Sequence, residues 1–232
     1  MRILLTLNVW LIISTLLNAQ QSSQNDCINT NLSDDFYEDK ITGEVFSNPV
    51  FYKGSQFYND NWDLGEIRLI NGKTVKNKYL KYNSLTDDLY WLRKNDYQQI
   101  IVNKDIVKEF TLISDKTNSK MLFRKMKITN WYTKDSASVF LQVLTEGKIT
   151  LYSFRKIQII NNTNELFPFY KYLISKDDGS PSYFVPLRKN LLKLYPEKKA
   201  EIRAILRKEH LRVKKHEEQL IKAIELINQA NF

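Results

Sequence analysis

The stretch that decides the fold is "EIRLINGKTVKNKYLKYN", Glu66 to Asn83. Ile67 and Leu69 alternate with Arg68, which is typical of a strand that buries one of its two faces. Asn71-Gly72 then supplies the residue pair that favours a two-residue type I′ turn. The stretch therefore predicts two short strands joined as a β-hairpin.

Strand-like segments continue on the C-terminal side of this hairpin, at a spacing of roughly ten residues that is typical of a β-meander. The first group occupies residues 45–114 and includes "KYLKY", "DLYWLR", "QQIIV" and "VKEFTLI". A second β segment over residues 120–185 includes "MLFRKM", "VFLQVL", "ITLYSF", "FPFYKYLI" and "SYFV". Residues 45–185 are therefore predicted to form a β-rich body.

Some of these segments are apolar on both faces. In "VFLQVL", Phe140 and Leu144 alternate with Val139, Leu141 and Val143. A strand that is covered on both faces implies two layers, which favours a sandwich or a small barrel over one open sheet. The predicted fold class is α+β, mostly β, with an antiparallel meander, sandwich or small barrel followed by a segment of short helices.

The hydrophobic period changes in residues 186–232. Pro186 and Pro196 stand where helices would begin, and apolar residues recur every three or four positions after them. The stripes consist of Leu187, Leu191 and Leu192, then Ile202, Ile205 and Leu206, then Leu220, Ile221, Ile224 and Ile227. Short helices of this kind are marginal alone, so they are expected to pack on each other or on the sheet.

The N-terminus predicts export. After Arg2, an apolar run that ends near Leu17 has the length and the charged flank of a signal peptide, so residues 1–19 are assigned to the signal, with cleavage after Ala19. An uncleaved membrane anchor is the alternative. Residues 20–44 form a polar, partly acidic leader, and the protein is expected in the periplasm or at the outer membrane, without a transmembrane helix after cleavage.

A resemblance supports the same setting. The residues "WDLGEIRLINGK", "LKYNSLTDDL" and "FLQVLTEGKITL", with the Lys-rich helical end, resemble a family of uncharacterised exported proteins common in Bacteroidota. The resemblance covers most of the chain that remains after cleavage. It implies a location in the cell envelope and brings no catalytic assignment.

No catalytic motif stands out in the sequence, and no cofactor is expected. The two histidines, His210 and His216, lie among cations in "RKEHLRVKKHEEQ" and are expected to be solvated. The pairs Asp87-Asp88 and Asp177-Asp178 are what turns require by themselves. "NDNWDLGE" resembles a calcium loop, but Gly65 and Ile70 break the pattern, so a turn is expected there and no metal.

Two groups of residues are candidates for partner binding. The segment from Leu187 to Phe232 carries twelve Lys or Arg and six Glu, most of the net charge of +9. A stripe at i, i+4 and i+8 consists of Lys199, Arg203 and Arg207. The aromatic candidates on the meander are Tyr79, Tyr90 and Trp91, which could stack on a sugar or a peptide strand or simply fill the core.

The sequence therefore predicts an exported, non-enzymatic protein that binds a partner or helps assemble the envelope. One alternative is a cell-wall or polysaccharide hydrolase whose carboxylates are brought together only by folding. A second is a peripheral protein that binds an anionic surface through its basic helices. Nucleic acid is not expected as a partner, because the chain is exported, and the oligomeric state stays open.

Overall fold

The computed structural model describes residues 43–45, 52–115, 117–129, 135–160, 163–177 and 179–230. The predicted signal peptide, nearly all of the polar leader and Asp178 lie outside the described residues. The eleven strands are β1 (Gly43–Val45), β2 (Asp63–Leu69), β3 (Thr74–Asn83), β4 (Asp88–Leu92), β5 (Gln99–Val102), β6 (Val107–Ile113), β7 (Lys120–Thr129), β8 (Ser136–Thr145), β9 (Ile149–Ile159), β10 (Leu166–Lys176) and β11 (Ser182–Phe184).

Three α-helices follow the sheet: α1 (Arg188–Leu191), α2 (Lys199–Lys208) and α3 (Glu217–Gln229). Short 3₁₀ turns occupy Lys104–Ile106 and Pro196–Lys198. Within the described part of the chain, no helix combines the length and the apolar character that crossing a membrane requires.

All eleven strands belong to one antiparallel sheet with the order β1-β5-β4-β3-β2-β6-β7-β8-β9-β10-β11. From β6 onward each strand pairs with the next one in the chain, as expected of a meander. The predicted class, α+β and mostly β, is confirmed. The pairing of β6 with β7 joins the two β segments that the sequence separated, so the strands form one open sheet instead of two stacked sheets or a closed barrel.

The opening hairpin is confirmed, but its turn differs from the predicted one. Gly72 has a φ of +84°, whereas Asn71 is not among the residues with positive φ, so the turn is not type I′. The amide of Gly72 donates to the carbonyl of Leu69 at 3.0 Å, and the amide of Leu69 donates to the carbonyl of Lys73 at 2.8 Å. These bonds close a loop of three residues, in which only the last needs positive φ.

The strand that follows this turn is longer than predicted. "TV" and "KYLKY" belong to the single strand β3, interrupted by a bulge at which Gly65 pairs with Lys78 and Ile67 pairs with Val75. The extra residue is accommodated at Asn77, which has a φ of +56°. A bulge increases the local twist and bends the strand, so β3 curves as it approaches its turn to β4.

The helices cover one face of the sheet at β8 and β9. Ile149 and Leu151 of β9 pack against the apolar stripes of α2 and α3. The side chain of Asn228 accepts from the amide of Ile149 at 2.9 Å and donates to its carbonyl at 2.8 Å, which fixes the end of α3 to the start of β9. Packing on the sheet is what the sequence predicted for these helices.

Strand β8 is covered on both faces, as its sequence predicted. Phe140 joins a cluster of aromatic rings on one face, while Val139 and Leu141 pack with Tyr152 and Leu173 on the other. The aromatic cluster consists of Tyr82, Phe110, Phe123 and Phe140, with Phe110 stacked on Phe123 at 4.9 Å between ring centroids. The rings come from β3, on one side of β2, and from β6, β7 and β8, on its other side, so these strands share one core.

A buried carboxylate holds this core together. Asp87, in the turn between β3 and β4, is 5% exposed and accepts a hydrogen bond from the Tyr82 hydroxyl at 2.6 Å. Its two oxygens also accept from the amide of Phe140 at 3.1 and 3.3 Å, and the Lys104 ammonium forms an ion pair with it. The turn is thereby attached to the middle of β8.

We expect the substitution Asp87→Ala to destabilise the protein by about 2–4 kcal/mol, because it leaves the Tyr82 hydroxyl and the Phe140 amide buried without an acceptor. The measurement is urea unfolding followed by circular dichroism. Asp88→Ala is the control, since Asp88 makes no hydrogen bond with Tyr82, Lys104 or Phe140, and it should cost less than about 1 kcal/mol. Equal effects of the two substitutions would contradict a structural role for Asp87.

The same pair of proteins tests the pH dependence. Burial raises the pKa of Asp87, although Lys104 and the hydrogen bonds partly oppose the rise. The folded protein therefore keeps the proton up to a higher pH than the unfolded chain, and this contribution to stability is lost as the pH rises through the folded pKa. The stability difference between the wild type and Asp87→Ala should be larger near about pH 4 than at neutral pH. A difference that shrinks on acidification would contradict this.

Candidate functional site

One face of β10 carries a row of large side chains. Successive residues of a strand point to opposite faces, so Leu166, Pro168, Tyr170 and Tyr172 share one face. The pairing of Tyr170 with Arg155 and of Tyr172 with Ser153 places residues of β9 on the same face. Tyr170 remains 50% exposed, which is unusual for a tyrosine in the interior of a sheet strand.

A recess lies at the start of this row, and we call it the β10 recess. Residues 52–60 run along one side of this recess, between the end of β3 and the start of β10. Lys53 exchanges backbone hydrogen bonds with Asn164 and Leu166, and Tyr58 donates its amide to the carbonyl of Tyr82 at 2.9 Å. The recess has a volume of about 310 Å³ and is lined by Ser55, Phe57–Asp60, Ser84, Ile157, Leu166, Pro168 and Tyr170.

A larger groove lies at the other end of the row, and we call it the β11 groove. Its volume is about 1000 Å³, and it is lined by Tyr170–Tyr172, Ser180–Pro186, Lys127 and Thr129. Lys127 and Thr129 belong to the part of β7 that extends beyond its pairing with β6, and β11 is the last strand of the sheet. The groove is mainly apolar, with Tyr183 37% exposed and Val185 59% exposed. Tyr170 lines both cavities.

The Tyr170 ring packs against Arg155, which belongs to a hydrogen-bonded network of buried and half-buried polar side chains. The guanidinium of Arg155 lies 4.8 Å from the centroid of the ring. Arg155 Nε donates to Gln142 Oε1 at 2.6 Å, and a terminal nitrogen donates to Glu217 Oε1 at 2.7 Å. The Tyr58 hydroxyl also donates to Gln142 at 3.4 Å. The first turn of α3 is thus connected, through Arg155, to the wall shared by the two cavities.

Two tyrosines beside this hydrogen-bonded network stay neutral near pH 7. Burial raises the pKa of Tyr172 to about 12, and the neighbouring Glu217 carboxylate adds to the rise. Burial also raises the pKa of Tyr58, although the positive charge of Arg155 partly offsets the effect. Both hydroxyls therefore act near neutral pH as hydrogen-bonding groups and not as bases.

The predicted basic stripe forms on α2. Lys199, Arg203 and Arg207 are all exposed, while Ile202 and Leu206 on the opposite side of the helix are buried. The structure therefore aligns the three cations as their spacing indicated. They lie on a different element from the β10 row.

The predicted aromatic residues of the meander lie elsewhere and do not form one surface. Tyr90 and Trp91 are 2% and 4% exposed, and as neighbours in β4 they point to opposite faces. Tyr90 packs edge-on against Phe57 at 5.6 Å between centroids. Tyr79 is half-buried, with the Lys94 ammonium 4.8 Å from its ring centroid.

The carboxylates of the predicted turn pairs that the structure describes, Asp87, Asp88 and Asp177, do not line the β10 recess or the β11 groove. Asp87 has all its bonding capacity directed at the core, and Asp177 lies in an exposed turn with a φ of +50°. Glu109, in a third recess of about 260 Å³ that also contains Glu66, pairs with Arg68 at 2.8 Å and with Arg124 at 3.0 Å. Neither the β10 recess nor the β11 groove has two carboxylates among its described lining residues.

The remaining polar motifs are also accounted for by local structure. In the calcium-like stretch, the Asn59 amide donates to both carboxylate oxygens of Asp63, at 3.1 and 2.9 Å. His210 follows α2 with a φ of +52°, and His216 precedes α3; both are exposed. No group of three potential metal-binding side chains occurs among the residues that the structure describes.

Tyr170, Tyr172 and Tyr183 are not among the residues predicted from the sequence to bind a partner. The signal was present in "FPFYKY" and "SYFV", where aromatic residues occur on both faces of two successive strands. What sequence could not show is that β11 ends the sheet and that a groove forms beside it, lined also by the end of β7.

No protein-family model, no curated protein and no solved structure matches this chain. The resemblance to exported proteins of Bacteroidota therefore stays a prediction.

We expect Arg155 and Glu217 to be strongly coupled, because the Arg155 side chain is 8% exposed and that of Glu217 29%. A double-mutant cycle with Arg155→Met and Glu217→Gln, measured by urea unfolding, should give a coupling free energy of about 1–3 kcal/mol. The exposed pair Lys198–Glu201 is the control and should give about 0.2–1 kcal/mol. A coupling no larger than that of the control would show that Arg155 does not connect α3 to the β10 row.

Proposed function

We propose that this protein is an exported, non-catalytic binding protein and that it holds an extended polysaccharide along the β10 row. The observation that carries the proposal is the shared position of Tyr170, whose half-exposed ring lines both the β10 recess and the β11 groove. The charged, apolar N-terminal run supports the export part of the proposal.

The arrangement of the cavities favours a polymer over a compact small molecule. The two cavities share the Tyr170 ring and are lined by successive parts of β10, Leu166 to Tyr170 in the recess and Tyr170 to Tyr172 in the groove, so a long ligand that passes this ring would contact both. Their volumes of about 310 and 1000 Å³ each suit a drug-sized or larger group. A single small ligand would use only one of them.

The chemistry of the lining favours a sugar chain over a peptide strand. Exposed tyrosine faces attract the positively polarised C–H edges of a ligand, and hydroxyls need polar partners such as Ser55, Asn59 and Asp60 in the recess. A peptide would add to the free edge of β11. That strand has only three residues and is preceded by Pro181 and followed closely by Pro186, which makes it a poor template for strand addition.

The lining also disfavours the hydrolase alternative. Cleavage of a glycosidic bond by the usual mechanism requires two carboxyl groups on either side of the bond. Asp60 is the single carboxylate among the described lining residues of the two cavities. Binding without cleavage is therefore the function that this geometry supports best.

The test is the substitution Tyr170→Ala in the secreted form of the protein. Wild-type protein is titrated calorimetrically with chito-, cello- and galacturono-oligosaccharides of equal length. We expect at least one of them to bind and its affinity to fall by about tenfold or more in Tyr170→Ala, since the ring contacts the ligand from two sides. Tyr97→Ala is the matched control, because Tyr97 is 78% exposed and lies in the β4–β5 connection, away from both cavities.

Three outcomes would contradict the proposal. They are the absence of binding to every member of the panel, an equal loss of affinity in Tyr97→Ala, and the release of new reducing ends during long incubation with the wild type. Thermal unfolding of each variant verifies that a loss of binding is not a loss of folding.

A further inference from the structure

The β11 groove has a one-sided charge. Lys127 and Lys171 are the charged residues of its lining, and no acidic residue is present among the described lining residues. The Lys171 ammonium lies 5.0 Å from the ring centroid of Phe169 and 5.2 Å from that of Tyr183, so it stands between aromatic side chains. A mainly apolar groove with cations and no acids favours a ligand that combines apolar sugar faces with negative charge.

The cationic character continues beyond the groove. Its lining ends at Val185 and Pro186, and Arg188 follows two residues later as an exposed side chain at the start of α1. A terminal nitrogen of Arg188 donates to the backbone carbonyl of Arg203 at 3.5 Å. Arg188 thus connects the end of the groove with the basic stripe on α2.

The stripe itself keeps its positive charge. No salt bridge to Lys199, Arg203 or Arg207 is found among the described residues, whereas three acidic residues of the helical segment pair elsewhere. Glu201 pairs with Lys198 at 3.0 Å, Glu209 with Lys222 at 2.8 Å, and Glu217 with Arg155 at 2.7 Å. None of these three glutamates therefore forms an ion pair with the α2 stripe.

We propose that the ligand is an acidic polysaccharide, one whose sugars carry carboxylates, and that it runs from the β11 groove across Arg188 onto Lys199, Arg203 and Arg207. The inference rests on the proposed function and adds the charge and the direction of the bound chain. Arginine matches a carboxylate with two parallel hydrogen bonds, and the spacing of the stripe presents cations at successive turns of the helix.

A lipid surface fits the stripe less well than a polymer. Helices that lie in a membrane interface insert large apolar side chains between the headgroups. On α2 the exposed positions between the cations include Ala200 and Ala204. Of its three large apolar residues, Ile202 and Leu206 are buried against the sheet and α3, and Ile205 is half-buried. The exposed apolar residues of this region, Tyr183 and Val185, line the groove.

The experiment compares a tetramer with a dodecamer of galacturonic acid, each also in its fully methyl-esterified and therefore neutral form. Calorimetric titration is done with the wild type and with the triple substitution Lys199→Gln, Arg203→Gln and Arg207→Gln. The control triple is Lys76→Gln, Lys108→Gln and Lys120→Gln, which removes the same charge from exposed positions of β3, β6 and β7.

We expect the acidic dodecamer to bind the stripe variant about tenfold more weakly than the wild type, since three exposed ion pairs are lost. The tetramer, which the groove alone can hold, should bind both proteins equally, and the control triple should behave as the wild type. The affinity of the wild type for the dodecamer should fall with added salt, because salt screens exposed charges.

Each of the remaining results would contradict a different part of the proposal. Equal binding of the acidic and the esterified oligomers would overturn the charge inference and leave the proposed binding function intact. An unchanged affinity of the stripe variant for the dodecamer would overturn the path over α2. Binding to anionic phospholipid vesicles that is lost in the stripe variant, without binding to either oligomer, would replace the polymer with a membrane. If the chito- and cello-oligosaccharides and all forms of the galacturonic acid oligomers fail to bind, the proposed function fails together with the inference.

Discussion

The structure depends on one buried carboxylate and the hydrogen bonds directed at it. Asp87 lies in the turn between β3 and β4, yet its partners include the backbone of β8, which is distant in the chain. Burying a carboxylate is costly unless its acceptor capacity is filled, and here a hydroxyl, a backbone amide and an ammonium fill it. The hydrogen bond from the Phe140 amide holds the β3–β4 turn against β8. Strands on both sides of β2 therefore contribute to one aromatic cluster.

The position of the candidate site follows from this attachment. Because the β3–β4 turn is held at β8, the carbonyl of Ser84 can accept from the amide of Ile157 on β9 at 3.0 Å. Residues 52–60 then span the short distance between the end of β3 and the start of β10 and form one wall of the β10 recess. On the other side, Arg155 fixes the first turn of α3 behind Tyr170. The exposed tyrosine therefore stands on a rigid support, which lowers the entropy that binding would cost.

Acidic and basic side chains differ in where they lie around the candidate site. Beside the Tyr170 ring, the Glu217 carboxylate pairs with the buried Arg155 and supports the fold, while Asp60 is the one carboxylate among the described lining residues of the two cavities. Cations, in contrast, line the β11 groove and the outer side of α2. Exposed cations that form no ion pair attract anions over about a Debye length, roughly 8–10 Å at ordinary ionic strength. An acidic sugar chain is the ligand that matches both the aromatic faces and this charge.

The sequence by itself determined the local structure of this protein. Alternation of apolar residues placed nearly every strand, "NG" placed the first turn, and the change of period marked the helices, because these features depend on neighbours only a few residues away. The spacing of Lys199, Arg203 and Arg207 predicted their alignment for the same reason. Tertiary structure alone decided that the strands form one open sheet, that Asp87 is a structural anchor, and that Tyr90 and Trp91 are buried while Tyr170 is exposed. Exposure depends on which distant segment covers a strand. Here Phe57 packs on the ring of Tyr90, whereas the ring of Tyr170 is left half-exposed between two cavities.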